Sequence, residues 1–237
     1  MSGMLPQYRK LNRRGAVNLG FALQHLICQP ASKMASAILL AMGLAVPASA
    51  GSRGAPDAVM VFGGIASETN FAQLLYSPWT AQLNDIGVLG ASYSHRFGTV
   101  NELLGGGGLG NMGDDFTIEG EAGTSVRFGD ESLGEGWAAL YLRYDGLPWN
   151  DTVYTTIGVN TGVSYLTDIS EFEKGRDNDG EASKLLHYLG PELTFADPEN
   201  KDLELVLRYH HRSGVFGLFD GVVSGSTFIS AGIRVRF

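Results

Sequence analysis

Phe116-Thr-Ile-Glu-Gly-Glu-Ala-Gly-Thr-Ser-Val-Arg-Phe128 alternates without a break. Its even positions, Phe116, Ile118, Gly120, Ala122, Thr124, Val126 and Phe128, carry no charge, whereas Glu119, Glu121 and Arg127 stand at odd positions. Successive side chains of a strand point to opposite faces, so the segment reads as a strand with one uncharged and one charged face. Thirteen residues exceed the usual globular strand of about five or six. They suffice for the roughly 9–11 residues of an oblique membrane crossing.

The same pattern recurs along the chain. Strands are expected at about 58–67, 86–97, 115–128, 136–146, 152–166, 184–196, 202–213 and 226–237. In 152–166 one face carries Val153, Ile157, Val159, Val163 and Tyr165, and the other Tyr154, Thr156, Asn160 and Ser164. In 202–213, Leu203, Leu205, Leu207 and Tyr209 oppose Glu204, Arg208, His210 and Arg212. No helical segment of comparable length separates them. Eight strands are an even number, enough to close a small barrel filled by side chains. The expected fold is all-β, an eight-stranded antiparallel transmembrane β-barrel of the outer-membrane type, built as a single domain over residues 51–237. A soluble lipocalin-like barrel has the same strand number but turns its apolar face inward.

Residues 1–50 favour the membrane form. They contain Arg9, Lys10, Arg13, Arg14 and Lys33, no acidic residue, an apolar run from Met34 to Val46, and the small-residue close Pro47-Ala-Ser-Ala50. A basic region, an apolar region and a small-x-small close mark a secretory signal peptide, expected to be removed after Ala50. Removal takes away Cys28, the single cysteine, and leaves 12 Lys and Arg against 25 Asp and Glu. A disulfide scaffold is thereby excluded, and so acidic a chain is a poor nucleic-acid binder because phosphate contacts need a basic face. The mean hydropathy of +0.01 averages an apolar leader, one apolar strand parity and one charged parity.

The last strand, Phe228-Ile-Ser-Ala-Gly-Ile-Arg-Val-Arg-Phe237, resembles the terminal strand by which the barrel-assembly machinery recognises bacterial outer-membrane proteins. That resemblance implies the outer membrane as destination and the machinery as a partner through Phe237. With Phe237 on the periplasmic side, 68–85, 167–183 and 214–225 become external loops, and Asp197-Pro-Glu-Asn-Lys-Asp202 a periplasmic turn. The Gly-rich stretch 99–114 is long for a periplasmic turn, and 129–135 short for an external loop. Glu119, Glu121, Arg127, Arg143, Glu192, Glu204, Arg208, His210, Arg234 and Arg236 fall on the luminal parity. They are expected to pair with one another, since an unpaired buried charge is costly. Asp177-Asn-Asp-Gly-Glu181 has the oxygen-rich start of a calcium loop without its remaining spacing, and reads as an acidic loop tip rather than a metal site.

Chemistry is suggested at Arg208-Tyr-His-His-Arg-Ser-Gly214. His211 and Ser213 are two apart on a strand and share a face, the one that carries the leucines toward lipid. A serine becomes a nucleophile at neutral pH through a neighbouring base, and imidazole is the usual one. His-x-Ser on the penultimate strand of an eight-stranded barrel resembles the lipid A 3-O-deacylase (PagL-like, acyloxyacyl-hydrolase-like) family of outer-membrane enzymes. The resemblance implies hydrolysis of an ester-linked acyl chain of lipid A, without metal or other cofactor, by a His–Ser–Glu triad facing the membrane. Ser213 would be the nucleophile and His211 the base.

Two departures stand out. No Glu follows Glu204, so the only later carboxylate, Asp220, is the residue left to orient His211. The family's Asn after the serine is replaced by Gly214, whose backbone N–H is the candidate oxyanion donor. The alternatives are a non-catalytic structural or adhesive barrel acting through its external loops, and a transport barrel, disfavoured because eight strands leave little lumen.

Overall fold

The computed structural model describes residues 53–106, 110–176 and 181–237. The expected signal peptide and Cys28 lie outside the described residues. The strands are β1 (Asp57–Ser67), β2 (Leu83–Thr99), β3 (Phe116–Gly129), β4 (Leu133–Tyr144), β5 (Tyr154–Leu166), β6 (Leu185–Leu189), β7 (Glu192–Asp197), β8 (Asn200–Ser213) and β9 (Thr227–Arg236). Every pairing between neighbours is antiparallel, and β1 pairs with β9 from Ala58↔Arg236 to Ala66↔Phe228, which closes the sheet on itself.

β6 and β7 both lie between β5 and β8 and act as one wall strand interrupted at Gly190-Pro191. Pro191 has no N–H for the ladder, and the Gly190 N–H turns to the Asn160 side chain instead. The nine segments therefore make an eight-strand wall.

Alternation becomes an inside and an outside. On β3, Glu119, Glu121 and Arg127 are buried, while Val126 and Phe128 are exposed. Leu140, Ile157, Val163, Leu203, Leu205, Leu207 and Ile233 are likewise exposed around the wall. So continuous an apolar exterior is unfavourable in water and favourable in a bilayer.

The interior is packed with paired charge. Glu192 accepts from Arg143, from Arg208 at 2.5 Å and from Arg234 at 2.8 Å. Glu119 accepts from Arg143 at 2.9 Å and Arg236 at 3.0 Å, Glu121 from Arg208 at 2.8 Å, and Glu204 from Arg234 at 2.7 Å and Arg236 at 2.5 Å. His210 meets Glu135 at 2.8 Å inside an aromatic nest of Phe62, Trp137 and Tyr188. Each carboxylate so held has cationic partners, the condition under which buried ions are tolerated. All ten luminal residues named from the sequence are buried.

The Phe237 N–H donates to the Asp57 carbonyl at 2.9 Å, which defines one rim, here the lower. Residues 100–106, 110–115 and 145–153 and the turn at 198–199 lie at this rim; 68–82, 130–132, 167–176, 181–184 and 214–226 lie at the upper one. The uneven lengths noted at 99–114 and 129–135 are real. A four-residue helix at Val100–Leu103, closed by a Thr99–Glu102 capping box, and a 3-10 turn at Gly110–Asp114 occupy the long segment. The return from β3 to β4 is short because β3 runs to Gly129 and β4 begins at Leu133.

Candidate active site

The upper end of β8 carries the expected site on the outward face. Its even residues Arg208, His210 and Arg212 point into the barrel, so Tyr209, His211 and Ser213 point out. His211 is nevertheless only 8% exposed. The cover is α1 (Phe71–Tyr76), in the segment between β1 and β2, which lies against the outside of the wall. The Phe71 ring stacks on His211, 4.0 Å between centroids and 5° from parallel, and the Tyr209 hydroxyl donates to the Leu74 carbonyl at 3.1 Å. α1 starts there because Asn70 caps it, its side chain accepting from the Ala72 N–H at 2.9 Å.

The partners of His211 assign its tautomer. Nδ1 lies 3.1 Å from the Ser226 carbonyl oxygen and 2.8 Å from Thr227 Oγ1. A carbonyl only accepts, so Nδ1 carries the proton and Nε2 is left with its lone pair, the arrangement of a general base. Thr227 faces His211 directly across the β8–β9 ladder.

Asp220 is not at this position. It is exposed, takes φ 52°, and accepts from the Ser183 hydroxyl at 2.5 Å. The role expected of Asp220, holding the imidazole, falls in the structure to Thr227 and the Ser226 carbonyl. As the only side-chain carboxylate after Glu204, Asp220 is the one the sequence offers, but the loop folds on itself: the Phe219 N–H donates to the Gly214 carbonyl and the Gly217 N–H to the Val222 carbonyl.

Ser213 Oγ accepts from the Val215 N–H at 3.2 Å. Gly214 is buried against Val222, whose carbonyl oxygen a Cβ at this position would overlap, so the peptide after Ser213 is tightly seated. Across the ladder from Ser213 stands His187 of β6, which sequence reasoning did not single out. It was hidden because pairing across strands is not written in either strand alone.

Just inside the wall behind these residues, the upper mouth is plugged. The short helix α2 (Glu171–Lys174), in the segment between β5 and β6, places Glu173 beneath Arg212 at 3.0 Å, Arg127 at 3.3 Å and the Ser226 hydroxyl at 2.7 Å. Among the described residues no group of three or more His, Cys, Asp or Glu side chains is placed to hold a metal ion. Positions 177–180 of the acidic loop tip lie outside the described residues.

The wall has counterparts among solved structures. The chain resembles the outer membrane enzyme PagL at a TM-score of 0.52 and 13% identity, over 76% of this chain and 99% of that one. The fold is that of an outer-membrane β-barrel. Neisserial surface protein A aligns at a TM-score of 0.42 and 14% identity over 76% of this chain and 97% of that one. The attachment invasion locus protein Ail of Yersinia pestis aligns at 0.34 and 14%, over 76% and 99%. No protein-family model matches the sequence, and no curated protein matches it. At these identities the barrel is shared and the chemistry is left to the side chains.

Proposed function

We propose that this barrel resides in the bacterial outer membrane and hydrolyses an ester-linked acyl chain of lipid A, with lipopolysaccharide as its membrane partner. What carries the reading is the arrangement at the outward upper end of β8: a serine two residues along the same strand face from an imidazole whose Nδ1 is anchored to Ser226 and Thr227. An enzyme acting on a lipid needs its nucleophile on the wall rather than in the lumen, near the boundary where ester groups lie. The barrel it shares with PagL is one that carries an outer-membrane enzyme.

Ser213 Oγ attacks the ester carbonyl carbon while His211 Nε2 takes its proton and passes it to the departing sugar oxygen. The Gly214 N–H stabilises the oxyanion. Asp220 has no part in this scheme, since its hydrogen bond is to Ser183. The step is tested by mass spectrometry of lipid A from cells expressing the chain or its Ser213→Ala variant. Loss of one ester-linked acyl chain with the parent alone supports the reading; unchanged lipid A with folded parent protein in the outer membrane overturns it.

A non-catalytic structural or adhesive barrel is the second reading. It is favoured by the Phe71 cover over His211 and by the absence, among the described residues, of a carboxylate bonded to that ring.

A further inference from the structure

Ser213 has a second imidazole neighbour, and its surroundings differ from those of the first. His187 pairs directly with Ser213, and side chains so paired share a face with Cβ atoms about 4.5–5.5 Å apart. His211, two residues along the same strand, is offset by about 6.6 Å of strand rise. The two rings therefore approach Ser213 from different directions, one along β8 and one across from β6.

Their exposure at the upper end of the wall also differs. His211 is sealed: Phe71 covers one face, and Thr227 and the Ser226 carbonyl hold Nδ1. His187 is half-buried and placed by one polar contact, Nε2 to Thr161 Oγ1 at 2.9 Å, with Phe219 6.3 Å away, centroid to centroid. Among the described residues its Nδ1 has no hydrogen-bonding partner.

An acyl-serine is hydrolysed only if a base meets both the ester and an incoming water. The covered His211 suits transfer from the serine to a leaving group already bound, whereas the half-open His187 suits water. We infer that His187 is the general base of the second half-reaction, the hydrolysis of the acyl-Ser213 ester. This inference rests on the hydrolase reading above. Water oxygen bonds to the acyl carbon as His187 Nδ1 takes its proton. The tetrahedral intermediate then expels Ser213 Oγ, which receives that proton from His187, and the fatty acid leaves. The imidazole ends neutral, and no other reactant is required.

The test compares the full chain with His187→Gln, His187→Asn and Ser213→Ala, all reconstituted in vesicles containing lipid A and checked for folding by heat-modifiable gel mobility. The folded His187 variants are expected to retain a first burst of acyl transfer, to accumulate a chain heavier by one acyl group on Ser213, and to turn over about 10²-fold more slowly. Hydroxylamine, a nucleophile that needs no base, is expected to release the trapped acyl group. Wild-type turnover in the folded variants overturns the inference, as does their inactivity without an acylated Ser213. A parent chain that leaves lipid A intact overturns the hydrolase reading itself, a separate result.

Discussion

Thr227 Oγ1 on β9 lies 2.8 Å from His211 Nδ1 on β8, bonding the imidazole across a directly paired ladder position. A hydroxyl orients a ring much as a carboxylate does, but without a negative charge to stabilise the imidazolium of the proposed proton transfer. Removing it while keeping the shape, Thr227→Val, is expected to slow lipid A deacylation about tenfold, the loss of roughly one hydrogen bond of about 1.4 kcal/mol. Thr227→Ser is expected to keep the rate. Equal rates in the two variants would remove Thr227 from the site.

Asp220 provides the contrast. Its contact is with Ser183, so Asp220→Asn is expected to loosen the 214–226 loop and to slow deacylation less than Thr227→Val does. Limited proteolysis reads the first effect and acyl release the second. A rate loss larger than that of Thr227→Val would return Asp220 to the imidazole.

Phe71 lies 4.0 Å from the His211 ring in a parallel stack. Phe71→Ala is expected to uncover His211 and to raise its modification by diethyl pyrocarbonate several-fold, followed by peptide mass spectrometry. His210, buried in the lumen, is the internal control and should stay unmodified.

Inside the barrel, Glu192 serves three guanidinium groups, those of Arg143, Arg208 and Arg234. Glu192→Ala leaves them facing one another without their shared anion, and the expected loss is about 3–5 kcal/mol. A lower urea midpoint for refolded protein in vesicles measures it. An unchanged midpoint would mean that water or another carboxylate replaces Glu192.

The same side chains fill the lumen from Glu204 and Arg236 at the lower rim to Glu173 at the upper. Purified protein in a planar bilayer is therefore expected to show no stepwise conductance; open-channel steps would refute the packed interior.

Most of the wall is legible in the sequence. Each expected strand coincides with an observed one to within a few residues, because a wall strand between lipid and a charged lumen must alternate at every step. The shortfalls are specific. Starting the fourth strand at 136 hides Glu135, the partner of His210, by one residue. Glu173 is not legible at all, since it reaches the lumen from α2 in a connecting segment. The break at Gly190-Pro191 divides what alternation alone reads as one strand. Within the site, Ser213 and His211 are visible as neighbours on one strand, whereas His187, Thr227 and Phe71 are not.

Alternation is local, so the chain alone determined which side chains share a face: Glu119 on one and Val126 on the other, His211 and Ser213 together; that the charged face is the inner one is shown by its burial in the closed barrel. Partnership is not local. Which residue stands opposite Ser213 depends on the register between β6 and β8, and a one-residue slip would turn a whole strand's side chains over. That register is set by the summed packing of Glu192, Arg208 and their neighbours across the closed barrel. Only the tertiary structure could therefore place His187 beside Ser213, Thr227 against His211, and Phe71 over both the ring and the strand that bears it.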